Sequence, residues 1–267
     1  MIARKRFGQH FLEPAWVVKV IEAIAPGPAD WFFEIGPGRG ALTRPLAARA
    51  AQVTAFEIDR DLAAALRADA LPNLVIFEGD FLRCPQDFSE GAKHPIRVAG
   101  NLPYNVASPI LFKLIEFYDG GVPLTDATLM LQREVADRLL ARPGTKEYGT
   151  LSVLVRLSAT VERLLALPPG AFRPAPKVNS ALVRLCFHAP SPEPRDRQAF
   201  QALVQAVFTR RRKMLENALL AYAPDSRQSV QRALGAAGID GQRRPETLEI
   251  AEFVRLSDAF CQLPAVG

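Results

Sequence analysis

Short apolar runs and longer stretches with helical periodicity alternate along this sequence, and few folds accommodate such an order. The first run, WFFEI, stops abruptly at GPGRGALT, as a buried strand does when it enters a helix through glycines. Further apolar runs lie near residues 52–58, 73–78, 96–100 and 127–131. Stretches with helical spacing lie near residues 15–25, 41–50, 59–68, 108–118 and 133–141. The alternation predicts a mostly parallel sheet with helices on both faces.

The second half of the sequence departs from this order. Two apolar runs, TLSVLVRLSATVERLLAL and KVNSALVRLCFHA, flank the proline-rich segment PPGAFRPAP, which predicts that the sheet closes with an antiparallel, hairpin-like pair. The segment APSPEPRDRQ that follows is polar and contains three prolines, so we expect an extended linker there. Helices are predicted near residues 197–222, 226–237 and 247–262. We therefore predict an α/β domain over 1–188 and a small all-α domain over 189–267.

Composition narrows the class of protein. The 267 residues, 49% of them hydrophobic, suffice for a full core. No window approaches the roughly 18 uncharged apolar residues of a membrane span, and the basic N-terminal stretch lacks the apolar segment of a secretory signal. We therefore expect a cytoplasmic protein without membrane association. The three cysteines and three histidines show no metal-ligand spacing, so neither disulfides nor a metal site is expected. A net charge of +5 permits a polyanionic partner without requiring one.

A glycine turn after the first strand is the first candidate ligand site. The sequence FEIGPGRGA places Gly36, Gly38 and Ala41 in the pattern G-x-G-x-x-G/A, which lets the backbone approach a nucleotide at a helix N-terminus. A dinucleotide site or a purely structural strand-to-helix turn would show the same pattern. Glu57 ends the second strand, where a carboxylate can take both hydroxyls of a ribose. Asp80 follows the third strand in EGDF and is placed to accept from an adenine amino group.

The acidic residues around this turn indicate the charge of the ligand. Glu34 precedes the first glycine and forms a row of carboxylates with Glu57 and Asp80, while Arg39 is the one cation nearby. S-adenosylmethionine carries a sulfonium and an ammonium but no phosphate, so such a row suits it better than NAD. We therefore predict S-adenosylmethionine as the cofactor.

The tetrapeptide Asn-Leu-Pro-Tyr at 101–104 follows the fourth strand and should lie at the carboxyl edge of the sheet, where these folds bind ligands. The lone pair of adenine's exocyclic amine is delocalised into the ring, and acceptors are needed to localise it. The Asn101 side-chain oxygen and the Leu102 carbonyl can each take one N–H of that amine. Pro103 stiffens the turn, and Tyr104 offers a flat face for an unstacked base. The alternative is a proline-containing turn with Asn101 as a cap and Tyr104 half buried.

Motifs spread over nearly the whole sequence carry a resemblance to a known family. They are FGQHFL, EIGPGRGALT, FEID, EGDF, NLPYN, LMLQREVADRL, YGTLSV, FRPAPKVNSALVRL and FTRRRKML. In their order they resemble the ribosomal RNA adenine N6-dimethyltransferases, and most closely the bacterial branch that acts on the small subunit. The resemblance implies a Rossmann-like S-adenosylmethionine-dependent methyltransferase fold, with a mostly parallel seven-stranded sheet, a closing antiparallel hairpin and a helical C-terminal domain.

The resemblance also implies which residues bind the cofactor. In the family, the segment GQNFL covers the cofactor, the first glycine and the acid of the second strand hold its methionine and ribose, and the acid after the third strand meets its adenine. The matching residues here are His10, Leu12, Gly36, Glu57 and Asp80. His10 replaces the usual asparagine, and its imidazole would bring a protonation dependence that an amide lacks.

The same resemblance implies the catalytic residues. Asn101 matches the family residue that contacts both cofactor and target amine, and with Leu102 and Pro103 it forms the acceptor turn. Tyr104 matches the stacking ring, and Phe172 matches the aromatic that closes over the other face of the base. Without the resemblance, Phe172 is equally well interpreted as a core residue before a strand.

Basic residues are the candidate RNA contacts. The segment TRRRK is predicted on a helix, so its four consecutive cations spread around the circumference, and an ordinary solvated surface is the alternative. The resemblance favours phosphate contact by two of the four, aided by a basic cluster near the mouth of the active site. The residues concerned are Arg210, Arg211, Arg212 and Lys213, with Arg4, Lys5 and Arg6 near the mouth.

Together with these residues, the resemblance implies an enzyme that dimethylates the N6 amines of two adjacent adenosines in the 3′-terminal hairpin of 16S ribosomal RNA. Its expected partner is 16S ribosomal RNA within the immature 30S subunit, and we expect it to act as a monomer. Two alternatives stay open on the sequence alone. One is a non-catalytic ribosome-assembly factor, and the other is an adenine-N6 methyltransferase acting on 23S ribosomal RNA or DNA.

Overall fold

The computed structural model describes residues 10–85, 94–223 and 227–262, which form two compact units. The first unit extends to Ala136 and also includes Thr160–Phe187. The second unit consists of Asp137–Ala159 and the chain from His188 onwards. The second unit thus draws on a segment within 1–188 in addition to the residues after the proline-rich linker.

Nine strands are present in the described residues. They are β1 (Phe11–Leu12), β2 (Trp31–Ile35), β3 (Gln52–Glu57), β4 (Leu74–Glu78), β5 (Ile96–Asn101), β6 (Leu124–Gln132), β7 (Ala159–Leu167), β8 (Phe172–Arg173) and β9 (Ser180–Phe187). Seven of them form one sheet in the order β4-β3-β2-β5-β6-β9-β7, while β1 and β8 pair antiparallel by themselves. The predicted seven-stranded sheet is therefore confirmed.

The described helices follow the strands in alternation and then continue without strands. They are α1 (Pro14–Ile24), α2 (Thr43–Ala47), α3 (Arg60–Arg67), α4 (Ala107–Asp119), α5 (Arg133–Leu140), α6 (Thr150–Arg156), α7 (Arg197–Thr209), α8 (Leu215–Leu219), α9 (Arg227–Ala237) and α10 (Ile250–Cys261). The short α2 follows the glycine turn after β2, and the predicted strand-glycine-helix order is confirmed there.

The parallel part of the sheet gathers the ends of four strands at one edge. β2 runs parallel to β3 and β5, β4 runs parallel to β3, and β6 runs parallel to β5. The carboxyl ends of β2, β3, β4 and β5 are Ile35, Glu57, Glu78 and Asn101. In register, Glu57 pairs with Glu78 and Ile35 pairs with Gly100, so the residues that follow these strands emerge side by side.

Of the two runs predicted to close the sheet, the second forms a strand as predicted, whereas the first does so only in part. β9 runs antiparallel to β6, from Gln132 opposite Ser180 to Asp126 opposite Cys186. The first predicted run is not one strand, however, because its first half forms α6 and only Ala159–Leu167 forms β7. Ser152 favours the helix, since its hydroxyl accepts from the Gly149 amide at 3.1 Å and donates to the Arg138 carbonyl at 2.5 Å.

The predicted helix over 197–222 is also interrupted. α7 ends at Thr209 and α8 begins at Leu215, so the basic segment lies on a turn rather than on a helix. The Thr209 hydroxyl donates to the Ala206 carbonyl at 2.6 Å and Arg210 donates its amide to the Val207 carbonyl, a tightening typical of a helix end. The Leu215 amide then bonds to the Arg243 carbonyl at 2.7 Å, which redirects the chain.

Buried charges at the amino ends of the strands stabilise the opposite edge of the sheet. The side chain of Arg97 in β5 is mostly buried and bonds to Asp30 at 2.7 Å and to Asp126 at 2.8 Å. It also donates to the backbone carbonyl of Ile24 at the end of α1, at 2.8 Å. Because both carboxylates and a carbonyl satisfy the guanidinium, this edge is occupied by structural contacts, and the carboxyl edge is the one open to ligands.

Candidate active site

A cavity of about 220 Å³ lies at the carboxyl edge of the sheet in the first unit. Residues from the glycine turn, from the strand ends and from the N-terminal stretch line it together. The lining includes His10, Leu12, Gly36, Glu57, Asp80 and Asn101, the residues predicted to contact the cofactor. Leu102, Pro103 and Tyr104 line it as well, so the structure brings the two predicted halves of the site into one space.

The backbone of the glycine turn after β2 requires glycine at two positions. Gly36 and Gly38 have φ angles of +69° and +59°, in the left-handed region that glycine tolerates. The Gly38 amide donates to Glu57 Oε2 at 2.9 Å, and the Asp59 amide donates to Glu57 Oε1 at 2.9 Å. Asp59 in turn caps α3 through its side chain. One carboxylate therefore holds the glycine turn on one side and the start of a helix on the other.

The two glutamates at the cavity carry shifted pKa values. Glu34 is 1% exposed, and its Oε2 makes no hydrogen bond with any described residue. Burial raises the pKa of Glu34 to about 8, and the nearby Glu57 carboxylate acts in the same direction. Burial also raises the pKa of Glu57, against the opposing effect of the backbone amides of Asp59, Gly38 and Ile58. A bound cation would favour the ionised form of both groups.

The far wall of the cavity combines one acid with an apolar surface. Asp80 accepts from the Leu82 amide at 3.0 Å and so caps the short turn that follows β4. Phe56 and Phe81 pack edge to face with ring centroids 5.2 Å apart, and both line the cavity. Ile58 lies at the same wall and is half exposed. The wall therefore offers a flat apolar surface with one carboxylate at its edge.

Asn101, the last residue of β5, has a defined orientation. Its Nδ2 donates to the backbone carbonyl of His10 at 2.7 Å. Because a carbonyl oxygen only accepts, the amide nitrogen has to face His10, and the amide oxygen is left to accept from another donor. The preceding Gly100 leaves no room for a side chain, since a Cβ there would lie 2.7 Å from the Ile35 carbonyl oxygen. The close approach of β5 to β2 thus helps to fix the position of the Asn101 backbone.

Both the hydroxyl group and the ring face of Tyr104 have contact partners. Its hydroxyl shares a hydrogen bond with Ser180 Oγ at 2.8 Å, and burial raises the pKa of the phenol. Its ring stacks with the imidazole of His10, with centroids 5.6 Å apart and an interplanar angle of 26°. His10 Nδ1 lies 2.7 Å from the carbonyl oxygen of Pro174, so that nitrogen carries the proton.

Phe172 lies away from the cavity. Its side chain is 2% exposed and packs in the core cluster with Leu12, its pairing partner between β1 and β8. It is not among the residues that line the cavity. The structure therefore places Phe172 in the core position that the sequence allowed as the alternative.

The basic residues differ in what they contact. Arg4, Lys5 and Arg6 lie outside the described residues. Arg211 bonds to Glu246 at 2.5 Å and to the Thr145 carbonyl at 3.1 Å, within the second unit. Arg212 and Lys213 are exposed on the turn after α7. The geometry thus separates a structural arginine from cations that face solvent.

The sequence analysis predicted no specific contact for Glu34, and it did not predict the position of the His10 ring. For Glu34 the signal was present, because it is an acid within a buried strand, one residue before the strand ends at the glycine turn. For His10 no local signal existed, because its partners Tyr104 and Pro174 are distant in sequence.

The described residues contain neither a metal-binding cluster nor a membrane-spanning helix. Among them, no group of three or more His, Cys, Asp or Glu side chains is arranged to hold a metal ion. None of the helices in that part of the chain is long and apolar enough to span a bilayer.

Fold and cavity together are those of the Rossmann-like methyltransferases that modify an exocyclic amine. The family model described as "Ribosomal RNA adenine dimethylase" matches residues 2–261. This chain belongs to that family. The resemblance seen in the sequence motifs is therefore confirmed.

Individual relatives agree with the family. The chain is 45% identical over 261 residues to a protein of Laribacter hongkongensis named ribosomal RNA small subunit methyltransferase A, covering 96% of this chain and 95% of the relative. A protein of the same name from Acinetobacter baylyi is 46% identical over 263 residues, covering 96% and 92%.

Solved structures show the same fold. A dimethyladenosine transferase from Plasmodium falciparum superposes with a TM-score of 0.77 at 25% identity, covering 92% of this chain and 96% of that one. The 23S rRNA methyltransferase ErmE superposes with a TM-score of 0.66 at 29% identity, covering 94% and 100%. The predicted fold class is therefore confirmed.

S-adenosylmethionine is the methyl donor of this class, and the cavity suits it. The lining contains three carboxylates, Glu34, Glu57 and Asp80. One of their oxygens, Glu34 Oε2, is buried without a partner among the described residues, as expected of a group that awaits a donor or a cation. These charges match a ligand that carries a sulfonium and an ammonium and no phosphate.

Proposed function

We propose that this protein transfers methyl groups from S-adenosylmethionine to the N6 amines of two adjacent adenosines in the 3′-terminal hairpin of 16S ribosomal RNA, twice on each base. Dimethylation of ribosomal RNA adenines is the activity of its family. The choice of the small subunit is supported by 45% identity to a relative named for that subunit, against 29% to a relative named for 23S RNA.

The orientation of Asn101 carries the proposal. With its Nδ2 engaged by the His10 carbonyl, its Oδ1 is the group that accepts an N–H of the target amine. The Leu102 carbonyl accepts the other N–H. Acceptors at both positions pull the nitrogen lone pair out of conjugation with the ring, which makes the amine nucleophilic without removing a proton first. The bound cofactor supplies a methyl group that is attached to a positively charged sulfur, and the sulfur is a good leaving group because it departs as a neutral thioether.

The remaining residues of the edge orient the base. Tyr104 supplies the stacking face, which is worth roughly 1 to 3 kcal/mol per base. Pro103 restricts the turn so that the acceptors and the ring keep one geometry. After the first transfer, the methylated nitrogen is positively charged and releases one proton to solvent, which leaves one N–H and restores the lone pair. The product is still a nucleophile, so a pocket with room for one methyl allows a second transfer.

Cofactor binding is assigned to the opposite half of the cavity. Gly36 leaves the backbone open to the methionine part, and Glu57 takes the ribose hydroxyls with the lone pairs that its two backbone donors leave free. Asp80 accepts from the adenine amino group. Leu12 closes the apolar side, and Glu34 neutralises the positive charge of the methionine part.

The helical second unit is assigned to recognition of the RNA within the immature 30S subunit. The exposed cations of the turn after α7, Arg212 and Lys213, support this role, and Arg210 is exposed beside them. Such residues position the RNA by its phosphates, while the shape of the hairpin and capture of the base select the adenosines. We expect a cytoplasmic monomer.

A comparison of methyl acceptors tests the proposal. The protein is incubated with labelled cofactor and with immature small subunits, 23S RNA fragments or duplex DNA, and modified nucleotides are mapped. We expect label on two adjacent adenosines of the small-subunit RNA. Label on 23S RNA or DNA instead would contradict the assigned substrate. Binding to the small subunit without incorporation of label would indicate an assembly factor that is not an enzyme.

A further inference from the structure

His10 and the two residues of β1 line the cavity and contact both of its halves. On the cofactor side, the guanidinium of Arg39 stacks on the ring of Phe11 at 4.1 Å, and that ring lies against Gly38. On the side of the target base, His10 contacts Asn101 and Tyr104. We call residues 10–12 the N-terminal strap.

His10 makes three contacts that act on the same part of the site. Its backbone carbonyl accepts from Asn101 Nδ2 at 2.7 Å. Its imidazole stacks on Tyr104, and Nδ1 of that ring donates to the Pro174 carbonyl at 2.7 Å. The side chain therefore attaches the strap to the segment after β8, at the point where the strap's carbonyl holds the Asn101 amide.

We propose that His10 is a positioning residue for methyl transfer, which holds the amide of Asn101 and the ring of Tyr104 in place for the target base. The inference rests on the proposed function, since it assumes that these two residues take the adenine. It assigns the His10 side chain to the base-binding half, whereas the sequence motif suggested a contact with the cofactor.

The physical basis is the way the strap is anchored. From Phe11 onwards the backbone is tied down, because β1 pairs with β8 and the Glu13 amide donates to the Ala171 carbonyl at 2.9 Å. His10 lies outside that pairing, and its described attachments are the imidazole contacts and the Asn101 bond. If the imidazole is removed, the carbonyl loses its tether, and the Asn101 amide is no longer fixed with Oδ1 towards the base. Misplacement of a reacting group by about 1 Å costs up to about 100-fold in rate.

Three variants separate this role from general damage. His10→Ala removes the ring, while His10→Asn keeps a side-chain donor for the Pro174 carbonyl. His94→Ala is the matched control, because His94 also stacks on an aromatic ring, that of Trp31, with centroids 4.7 Å apart at the amino edge of the sheet. His10→Ala should lower kcat about 10- to 100-fold with little change in KM for the RNA. His10→Asn should recover most of kcat, and His94→Ala should leave it unchanged.

Two measurements do not depend on methyl transfer. In ¹⁵N-labelled protein, the side-chain amide signal of Asn101, assigned by its loss in Asn101→Ala, should shift towards that of a free amide in His10→Ala and stay in place in His94→Ala. The affinity for S-adenosylhomocysteine, measured by calorimetry, should be nearly the same in all three variants. These readouts keep their meaning if the RNA substrate has been assigned wrongly.

Several results would overturn the inference. One is a wild-type kcat in His10→Ala, and another is an unmoved Asn101 amide signal in that variant. A loss confined to S-adenosylhomocysteine affinity would make the imidazole a cofactor contact instead. If His10→Ala does not fold, His10→Leu, which also lacks a donor for the Pro174 carbonyl, takes its place: a shifted Asn101 signal with reduced kcat supports the inference, and a wild-type kcat or an unmoved signal contradicts it.

Discussion

The two buried glutamates at the cavity differ in what their oxygens do. Both oxygens of Glu57 accept backbone amides, so its charge is used to hold the glycine turn. Glu34 Oε2 has no such partner among the described residues, and burial raises the pKa of this group to about 8. A carboxyl group in this state is neutral at pH 7 until a donor or a cation arrives.

This state of Glu34 predicts a pH dependence of stability in the ligand-free protein. Because its folded pKa lies above its unfolded value, Glu34 contributes stability that is present below about pH 4.5 and is lost as pH rises through about 8. The stability of the wild type relative to Glu34→Gln should therefore fall between pH 5 and pH 8. Denaturant unfolding of both proteins at several pH values measures the difference. A difference that does not vary with pH would contradict the assigned burial.

Replacement of Asn101 tests the acceptor directly. Asn101→Ala removes the oxygen that localises the amine lone pair, and kcat should fall about 100-fold or more, the range seen when one transition-state hydrogen bond is lost. RNA affinity should be nearly unchanged. The matched control is Asn179→Ala, since the exposed Asn179 makes its described hydrogen bond through its backbone carbonyl. Equal rates for Asn101→Ala and the wild type would refute the role given to Asn101.

Among the secondary-structure elements, the turn between β2 and α2 links backbone conformation to ligand binding. Gly38 has a φ of +59°, and a Cβ there would lie 3.4 Å from the Phe11 ring. The residue thus combines a left-handed conformation with close packing against the strap. Its amide is also the donor to Glu57.

Gly38→Ala is therefore expected to weaken cofactor binding as well as stability. The left-handed conformation costs roughly 1 to 2 kcal/mol for a residue with a Cβ. Gly144→Ala is the control, because Gly144 has a φ of +84° and open space around its Cβ position. Both variants should lose a similar amount of stability in denaturant unfolding. Only Gly38→Ala should bind S-adenosylhomocysteine more weakly, and equal affinities in the two variants would contradict the prediction.

The elements that sequence reasoning predicted well are those with a local cause. β2 and the turn after it follow from an apolar run that meets glycines, and Asn101 follows from the end of β5. The elements predicted wrongly depend on distant partners. The run that begins at Thr150 has strand-like composition. It nevertheless forms α6, because Ser152 bonds to Arg138 and the valines of this helix are buried. The break after Thr209 likewise depends on the Arg243 carbonyl, which captures the Leu215 amide.

The residues of the site show the same contrast: those with a local cause were predicted, and those that depend on distant partners were not. The acids, the glycines and the Asn-Leu-Pro-Tyr turn were located from strand ends alone, because parallel strands bring their carboxyl ends together. The burial of Phe172 was left open, since it depends on the pairing of β8 with β1. The stack of His10 on Tyr104 was not anticipated, because 94 positions separate the two residues.

For the protein taken together with its RNA, the net charge of +5 is too small to dominate binding, so the placement of cations decides. Arg211 is committed to Glu246, whereas Arg212 and Lys213 face solvent. Phosphate contacts of this kind depend on salt through counterion release.

Salt dependence therefore tests which cations touch RNA. The double variant Arg212→Ala/Lys213→Ala should reduce the slope of log K against log salt by about one for each phosphate that is no longer neutralised. Arg49→Ala, which removes an exposed arginine that donates to the Pro45 carbonyl in the first unit, should leave the slope unchanged. Filter binding of the small-subunit hairpin at several salt concentrations measures both. Identical slopes for the wild type and the double variant would remove this turn from the RNA interface.

The pairing of β1 with β8 has a consequence for biosynthesis. His10 and Pro174 are 164 positions apart, so a ribosome that is making this protein completes most of the sheet before the anchor of the imidazole exists. A nascent polypeptide that contains Asn101 but ends before Pro174 lacks that tether. With the role proposed for His10, full competence for methyl transfer is acquired late in translation, after the whole cofactor-binding half has been synthesised.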